Sequence, residues 1–522
     1  MPRRQKNMTQ EVKFQTSSLL GRRQAIKYII GGAVGAACPF PSSAPPSAGR
    51  GVQQTSRVGQ GLNATLGSES NTICHQVRDG TVFQLPKASK EYDVVIIGGG
   101  ASGLCSAYRL RDTNFLLLEK EPRLGGNAIS EQWNGRWYST GAAYGEGEEL
   151  ANLCVEIGMQ IHRIHSIDAA IINDQLVPEF WAGGLWKSPY PETAKKNFAK
   201  FQTDMKALLP KADREKLDSM TFAELLRPYG PELKAWFDNF GPNNWGANTE
   251  NTSALIGAES VEWGGGVDPE RYTWPGGLGR ISLALEAAIE KAGGGRLRKN
   301  SAVVQVERQG SKANVSYFDQ GDLVTVSAKA VIVACPKFIG KKIIKDLPAE
   351  QFRALDAMRY APYLVVNVCL REVIYNGSYD TNIPAPSPIV DFNVADWVEN
   401  RDNSETKRPA VLTCYAPRAE SERVQLLNDD YVLSYGERVV NLLNQWFPGS
   451  REKVEEVHIY RRGHPMFLAA PGVLTRIAPR IRQPFGNILF AHSDSEGGVS
   501  AYGPALEAAD RVTGEAKRIL KS

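Results

Sequence analysis

The stretch that most limits the folds open to this chain runs from Tyr92 to Glu119. Tyr92-Asp-Val-Val-Ile-Ile97 is a short apolar, β-branched run of the kind that forms a buried parallel strand, and it leads directly into Gly98-Gly99-Gly100-Ala101-Ser102-Gly103. In that setting the glycines have separate duties: Gly98 permits a tight turn, Gly100 lets backbone approach a diphosphate, and Gly103 lets the following helix pack on the strand. Residues 101–110 have helical character, so Ala101 and Ser102 stand in a first turn whose free N–H groups would face the phosphates. A second apolar run from Asn114 to Leu118 ends at Glu119, sixteen residues after Gly103, where an acid can meet ribose hydroxyls. Strand, turn, helix, strand and acid, in that order, predict an α/β chain with a Rossmann-like dinucleotide domain.

The remaining composition narrows the function. The chain has 522 residues, 42% hydrophobic and 23% charged, enough for two or more globular domains. Its formal charge of +4 is concentrated at the start, since residues 1–27 carry seven Lys/Arg against Glu11. Removing that +6 leaves −2 on the rest, so nothing favours a nucleic-acid partner, which needs clustered cations on one face. The seven cysteines form no C-x-x-C pair and the six histidines do not cluster, so no metal site is expected. Cys335 and Cys369 end apolar runs and read as buried free thiols.

Gly21-Arg22-Arg23-Gln24-Ala25-Ile26-Lys27 resembles a twin-arginine export signal, and the weakly apolar run after it is too short to span a membrane. Residues 1–38 are therefore expected to be a signal peptide and the protein to be periplasmic. Gly35-Ala-Ala-Cys38 leaves open a small-residue cleavage site or a lipidated Cys38 serving as a peripheral membrane tether. Residues 39–89, rich in Pro, Ser, Gly and Gln, read as a flexible linker, with the folded body starting near Lys90.

Glu119-Lys-Glu-Pro-Arg-Leu-Gly125-Gly126-Asn127 resembles the second glycine pair of flavin amine oxidases and related desaturases, which implies FAD, held non-covalently, where spacing alone would allow any dinucleotide. Near the C-terminus, Gly486 to Ala491 reads as another buried strand, followed by His492-Ser-Asp494-Ser-Glu-Gly-Gly498 and a helical stretch over 504–520. This resembles the closing flavin motif of the same proteins and implies that Asp494 binds the ribitol, although Ser493-Asp494 stands where Gly-Glu or Gly-Asp is usual. Between these ends lie Tyr272 to Gly277 before a helix over 278–292, a strand over 301–306 whose Val303 would pass the adenine, and a strand from Lys329. The implied architecture is a split FAD domain, 90–150, 275–345 and 485–522, interleaved with a mixed sheet-plus-helix substrate domain, 151–274 and 346–484.

The chain thus resembles the flavin amine oxidoreductase superfamily, with particular likeness to spermidine dehydrogenase-like proteins in Arg359 to Leu370, Tyr460 to Phe467 and the loop from Asp494 to Tyr502. The resemblance implies an FAD-dependent oxidoreductase moving hydride from a small-molecule amine, polyamines among them, to flavin N5. In monoamine oxidases a lysine near N5 holds a water, and the matching stretch here offers Asn367. That substitution favours a dehydrogenase with an unidentified electron acceptor over a peroxide-forming oxidase. Phe467 and Tyr502, with His464 nearby, are the candidate pocket walls, against ordinary core packing for each. Glu259, Glu262 and Asp268, near Trp263 and Trp274, could take a distal ammonium, or could belong to a solvated loop beside a Trp-rich core. A desaturase- or porphyrinogen-oxidase-like enzyme and a non-catalytic flavin-binding scaffold are the alternatives.

Overall fold

The computed structural model describes residues 53–58, 61–264, 270–399 and 405–522. Their centre is a parallel sheet in which Leu297–Arg298, Phe115–Leu118, Glu91–Ile97, Asp322–Val333 and Ile488–Phe490 lie side by side in that order. These strands are consecutive apolar residues because both of their faces are covered. On one face Val94, Ile96, Leu117 and Ile332 pack against the helices Ala101–Arg109, Gly279–Ala292 and Tyr502–Lys521. On the other face Val95, Leu116, Val331 and Val333 meet Val304, Val306 and Val315 of an antiparallel meander, Val303–Gln309 and Lys312–Asp319, that continues into Asp322–Val333. The chain is the mixed α/β protein expected.

The second sheet is mixed and nine-stranded. Its middle is Val454–Phe467, Tyr360–Leu370 and Ala410–Pro417, antiparallel neighbours, extended by Asp391–Val394, Asp380–Asn382 and Ala169–Ile172. One face of it buries Leu364, Val366 and Val368 under the helix Asp429–Trp446. Helices between residues 184 and 264 form a separate aromatic core in which Phe180 stacks on Trp236 at 4.5 Å.

The expected linker is corrected by this sheet. Leu62–Ser68 pairs in parallel with Val454–Phe467, and Gln53–Val58 adds a further strand at the edge. Leu62, Ala64 and Leu66 alternate with polar or small residues and put Ala64 and Leu66 into the core with Val457 and Ile459. The helix Thr72–Arg78 then packs Ile73 and Val77 on the meander. A short period-two pattern was concealed by a Ser- and Gly-rich composition. The twin-arginine segment and Cys38 lie outside the described residues.

Two smaller differences have simple causes. The helix Glu148–Glu156 buries Leu150, Leu153 and Cys154 in the same core as Ala101–Arg109, so the nucleotide lobe continues past residue 150. The last helix begins at Tyr502, with Pro504 in its first turn, where a missing N–H is harmless.

Candidate active site

The two glycine loops meet each other. Gly125 N donates to Gly99 O at 2.7 Å and Gly100 bridges Gly125 in parallel, so both loops form one cradle at the start of Ala101–Arg109. Gly98, Gly125 and Gly126 have φ of +104°, +122° and +60°, which L side chains resist. A Cβ on Gly103 would lie 1.9 Å from Gly98 O, so this glycine is required by the protein's own packing. A Cβ on Gly100 would meet nothing closer than Gly126 Cα at 3.9 Å, which leaves space for a ligand. The helix has no side-chain cap at Gly100 and no acid in its first turn, so its leading N–H groups and positive end face that space. Glu119 is buried beside it, with Oε2 accepting from Gly99 N at 2.6 Å and Oε1 from Glu121 N at 2.9 Å. Burial raises its carboxyl, although Lys120 and these N–H groups oppose the shift. A cavity of about 330 Å³ follows, lined by Lys120, Asn300, Ala302 and Phe318 of this lobe and by Ser70, Ile73 and Cys74. Val303, next to Ala302, starts its strand at a bulge. Gly-only approach, uncapped N–H groups, a buried acid and an adjoining cavity together fit a dinucleotide such as FAD.

Asp494 departs from its expected role. Its carboxylate accepts from Lys337 Nζ at 2.6 Å, from Tyr360 Oη at 2.5 Å and from Lys337 N at 3.1 Å, and it is fully buried. Burial alone would raise this carboxyl, but the His492 and Lys337 charges and hydrogen bonds outweigh it and hold it well below the usual carboxylate range. With both oxygens committed inside the protein, Asp494 pins the closing loop. That loop touches the cradle at His492, whose N–H donates to Ser102 Oγ at 3.0 Å.

The cradle is tied to the large sheet. Asn127 Nδ2 donates to Pro465 O at 2.8 Å, Arg462 Nη1 to Gly126 O at 3.2 Å, and Ala142 N to Asn127 O at 2.9 Å. One residue before Ala142, Gly141 O accepts from Tyr415 Oη at 2.8 Å, so a single short loop joins the cradle to a polar, aromatic chamber. Tyr363 and Tyr415 meet edge to face at 6.1 Å there, as do Tyr144 and Tyr379. Arg271 lies over the Tyr144 ring at 5.2 Å and pairs with Asp168 at 2.5 Å, with Asp380 4.0 Å away. Asp391 accepts from Asn243 Nδ2 at 2.6 Å, and Asn243 in turn accepts from Tyr363 Oη. Asp380 Oδ1 and Asp391 Oδ1 are buried without a hydrogen bond, and Asn393, in register with Asp380, has neither amide atom bonded. Burial and the charge of Asp168 raise the Asp380 carboxyl; burial and the charge of Asp380 raise that of Asp391. Asp168 and Asp380 thus share one guanidinium, and the Asp391 carboxyl adds to the negative charge beside them. That arrangement favours the entry of a cation.

In the sequence each of these chamber acids is a lone acid on its own strand or loop, with no motif to mark it. The candidate pocket residues of the sequence are placed differently. Tyr502 is buried in the nucleotide-lobe core beside Cys105 and Cys154, which corrects its place as a pocket wall. Phe467 is sealed in the core shared with Tyr360, Val473 and Phe490. His464 stacks on Phe338 at 4.1 Å, and burial, with Arg423 nearby, lowers its imidazole to about 4, so it is neutral. Asn367 is on the chamber-side face of Tyr360–Leu370 but fully buried, accepting from Thr413 Oγ1 at 2.7 Å. Glu259 pairs with Arg214 at 2.6 Å on the helical lobe, and the side chain of Glu262 and all of Asp268 lie outside the described residues. The six described cysteines are free thiols.

Known proteins are similar to this chain. The family described as flavin containing amine oxidoreductase matches residues 101–513. The oxidoreductase PigB of Serratia sp. is 24% identical over 519 residues, covering 80% of this chain and 75% of its own. Human flavin-containing amine oxidase B is 24% identical over 473 residues, covering 82% and 86%. Among solved structures, a putrescine oxidase with putrescine bound superposes with a TM-score of 0.65 at 18% identity, over 82% of this chain and 99% of its own. A cradle built for a dinucleotide and a match spanning most of the folded body lead to one conclusion: this chain belongs to the flavin containing amine oxidoreductase family and is an FAD-dependent amine oxidoreductase.

Proposed function

We propose that the chain is an amine dehydrogenase whose substrates carry a second cationic group, and that it works in the periplasm after export by the twin-arginine route. The observation that carries the substrate reading is the chamber of Asp380, Asp391 and Asn393, whose buried polar atoms lack partners that a diamine or polyamine ammonium would supply. FAD, when bound, takes up the hydride leaving the carbon next to the reacting nitrogen. The chain's own part is orientation and exclusion of water. The tyrosine rings at 144, 363, 379 and 415 wall the chamber, and a remote ammonium held by the carboxylates fixes the distance at which the reacting end is presented. Because Asp380 and Asp391 are biased toward their neutral forms, an arriving ammonium draws them into the ionised form and releases a proton.

Dehydrogenase rather than oxidase behaviour is favoured by the lysines. Tyr360–Leu370 turns Tyr363, Val365, Asn367 and Cys369 toward the chamber side. Among the described residues the buried lysines are Lys195, bound to Trp186 O and Glu192, and Lys337, bound to Asp494 and Ala491 O. Neither is available to hold a water beside a flavin. The export reading is supported by Arg22-Arg23 in their sequence setting. Turnover of purified holoprotein with a diamine should proceed with a quinone or ferricyanide as acceptor and be slow with dissolved oxygen alone. Equal rates with oxygen would overturn the dehydrogenase reading. Finding the full-length chain in the cytoplasm of a strain with an intact twin-arginine system would overturn the export reading.

A further inference from the structure

We propose that the N-terminal segment Leu62 to Arg78, which precedes the family-matched residues 101–513, is a wall of the FAD site that encloses and retains the adenosine end of the cofactor. The 330 Å³ cavity has two kinds of lining. Lys120, Asn300, Ala302 and Phe318 come from the nucleotide lobe, while Ser70, Ile73 and Cys74 come from the N-terminal segment. Lys120 directly follows Glu119, whose carboxylate is bonded at the glycine turn, so the cavity continues from the place where the acid meets ribose hydroxyls. Its mixture of an aromatic ring, aliphatic carbon and a few polar groups suits a purine.

The segment is fastened at three places, each on the dinucleotide site or on the sheet tied to it. Ser70 N donates to Glu121 Oε1 at 2.8 Å, and Lys120 Nζ donates to Ser70 O at 2.8 Å. Arg462 Nη1 reaches Glu69 Oε1 and Gly126 O at 3.3 Å and 3.2 Å, so one guanidinium links the segment to the second glycine loop. Behind these contacts Leu62–Ser68 is a strand of the large sheet, paired over six residues with Val454–Phe467. A segment that merely led into the fold would have no need to bond Lys120 and Glu121, just ahead of the second glycine loop, and the guanidinium that holds Gly126. Held this way it covers the adenosine end, and release of FAD requires these contacts to open.

The test uses the full chain, freed of flavin, and follows alkylation of Cys74 by N-ethylmaleimide with peptide-level mass spectrometry. FAD at about ten times its Kd, and ADP at about ten times its own, should each slow Cys74 alkylation about tenfold, by mass action. Unchanged Cys74 rates with both, while the flavin binds, would overturn the proposal. Should Cys74 be unreactive throughout, Cys74→Trp decides the question, because an indole would fill the cavity. Its Kd for FAD should rise at least about tenfold with thermal unfolding of the flavin-free chain unchanged; an unchanged Kd would overturn the proposal.

Discussion

Lys337 Nζ lies 2.6 Å from Asp494 Oδ1 with both side chains fully buried, and this pair joins the start of Lys337–Ile343 to the loop that closes the flavin site. Tyr360 and His492 complete the shell of Asp494, and Ala491 O takes another bond from Lys337. Burying such a pair is costly, but leaving one member alone is costlier. Lys337→Met should therefore destabilise the chain by about 3–5 kcal/mol, measured by urea or thermal unfolding. An unchanged unfolding midpoint would contradict the burial described.

The same pair sets an acid limit. Asp494 is held below its unfolded value, so its contribution is fully present above the ordinary carboxylate pKa of about 3.9 and is lost as pH falls through the lowered folded value. The stability gap between wild type and Asp494→Asn should be constant near neutrality and shrink as the pH drops below about 4. A gap that widened in acid would reverse the sign of the argument.

Two glycines separate packing from ligand approach. Gly103→Ala should give insoluble or flavin-free protein, because its Cβ would fall 1.9 Å from Gly98 O. Gly100→Ala, with 3.9 Å of clearance from the protein, should fold with little change in melting temperature and yet bind FAD more weakly. Full FAD affinity in Gly100→Ala would show that the cofactor does not come close to this residue.

The chamber acids should discriminate by charge. Asp380→Asn should lower kcat/KM for an α,ω-diamine by roughly 10–100-fold, the worth of a charge-assisted hydrogen bond of about 1.5–3 kcal/mol, and leave a monoamine nearly unaffected. Because burial and neighbouring carboxylates raise Asp380 and Asp391, increasing pH ionises them and should lower KM for the diamine. The Asp380→Asn, Asp391→Asn double variant should lose that slope. A slope that persists in the double variant would assign it to another group.

How much of this is legible in the sequence depends on how local each cause is. Gly103 is fixed by its contact with Gly98 within one strand, turn and helix, so the spacing of this turn reveals it. Asp494 is different: its position suggests a ribitol ligand, but its partner Lys337 is 157 residues away and only tertiary packing shows that the carboxylate is taken. The chamber is less legible still, since Asp168, Arg271, Asp380 and Asp391 come together through strand pairing that spans over two hundred residues. Tyr502 misled because the last helix starts two residues before Pro504, which turns its ring into the lobe.

An amine oxidoreductase whose chamber takes a second cation distinguishes a diamine from a monoamine. Anaerobic mixing of the purified yellow holoprotein with an α,ω-diamine, and separately with the monoamine of equal chain length, measures that difference. The visible flavin absorbance should be lost rapidly with the diamine and much more slowly with the monoamine. Equal rates would remove the second-cation site, and no bleaching with any amine would contradict the assigned reaction.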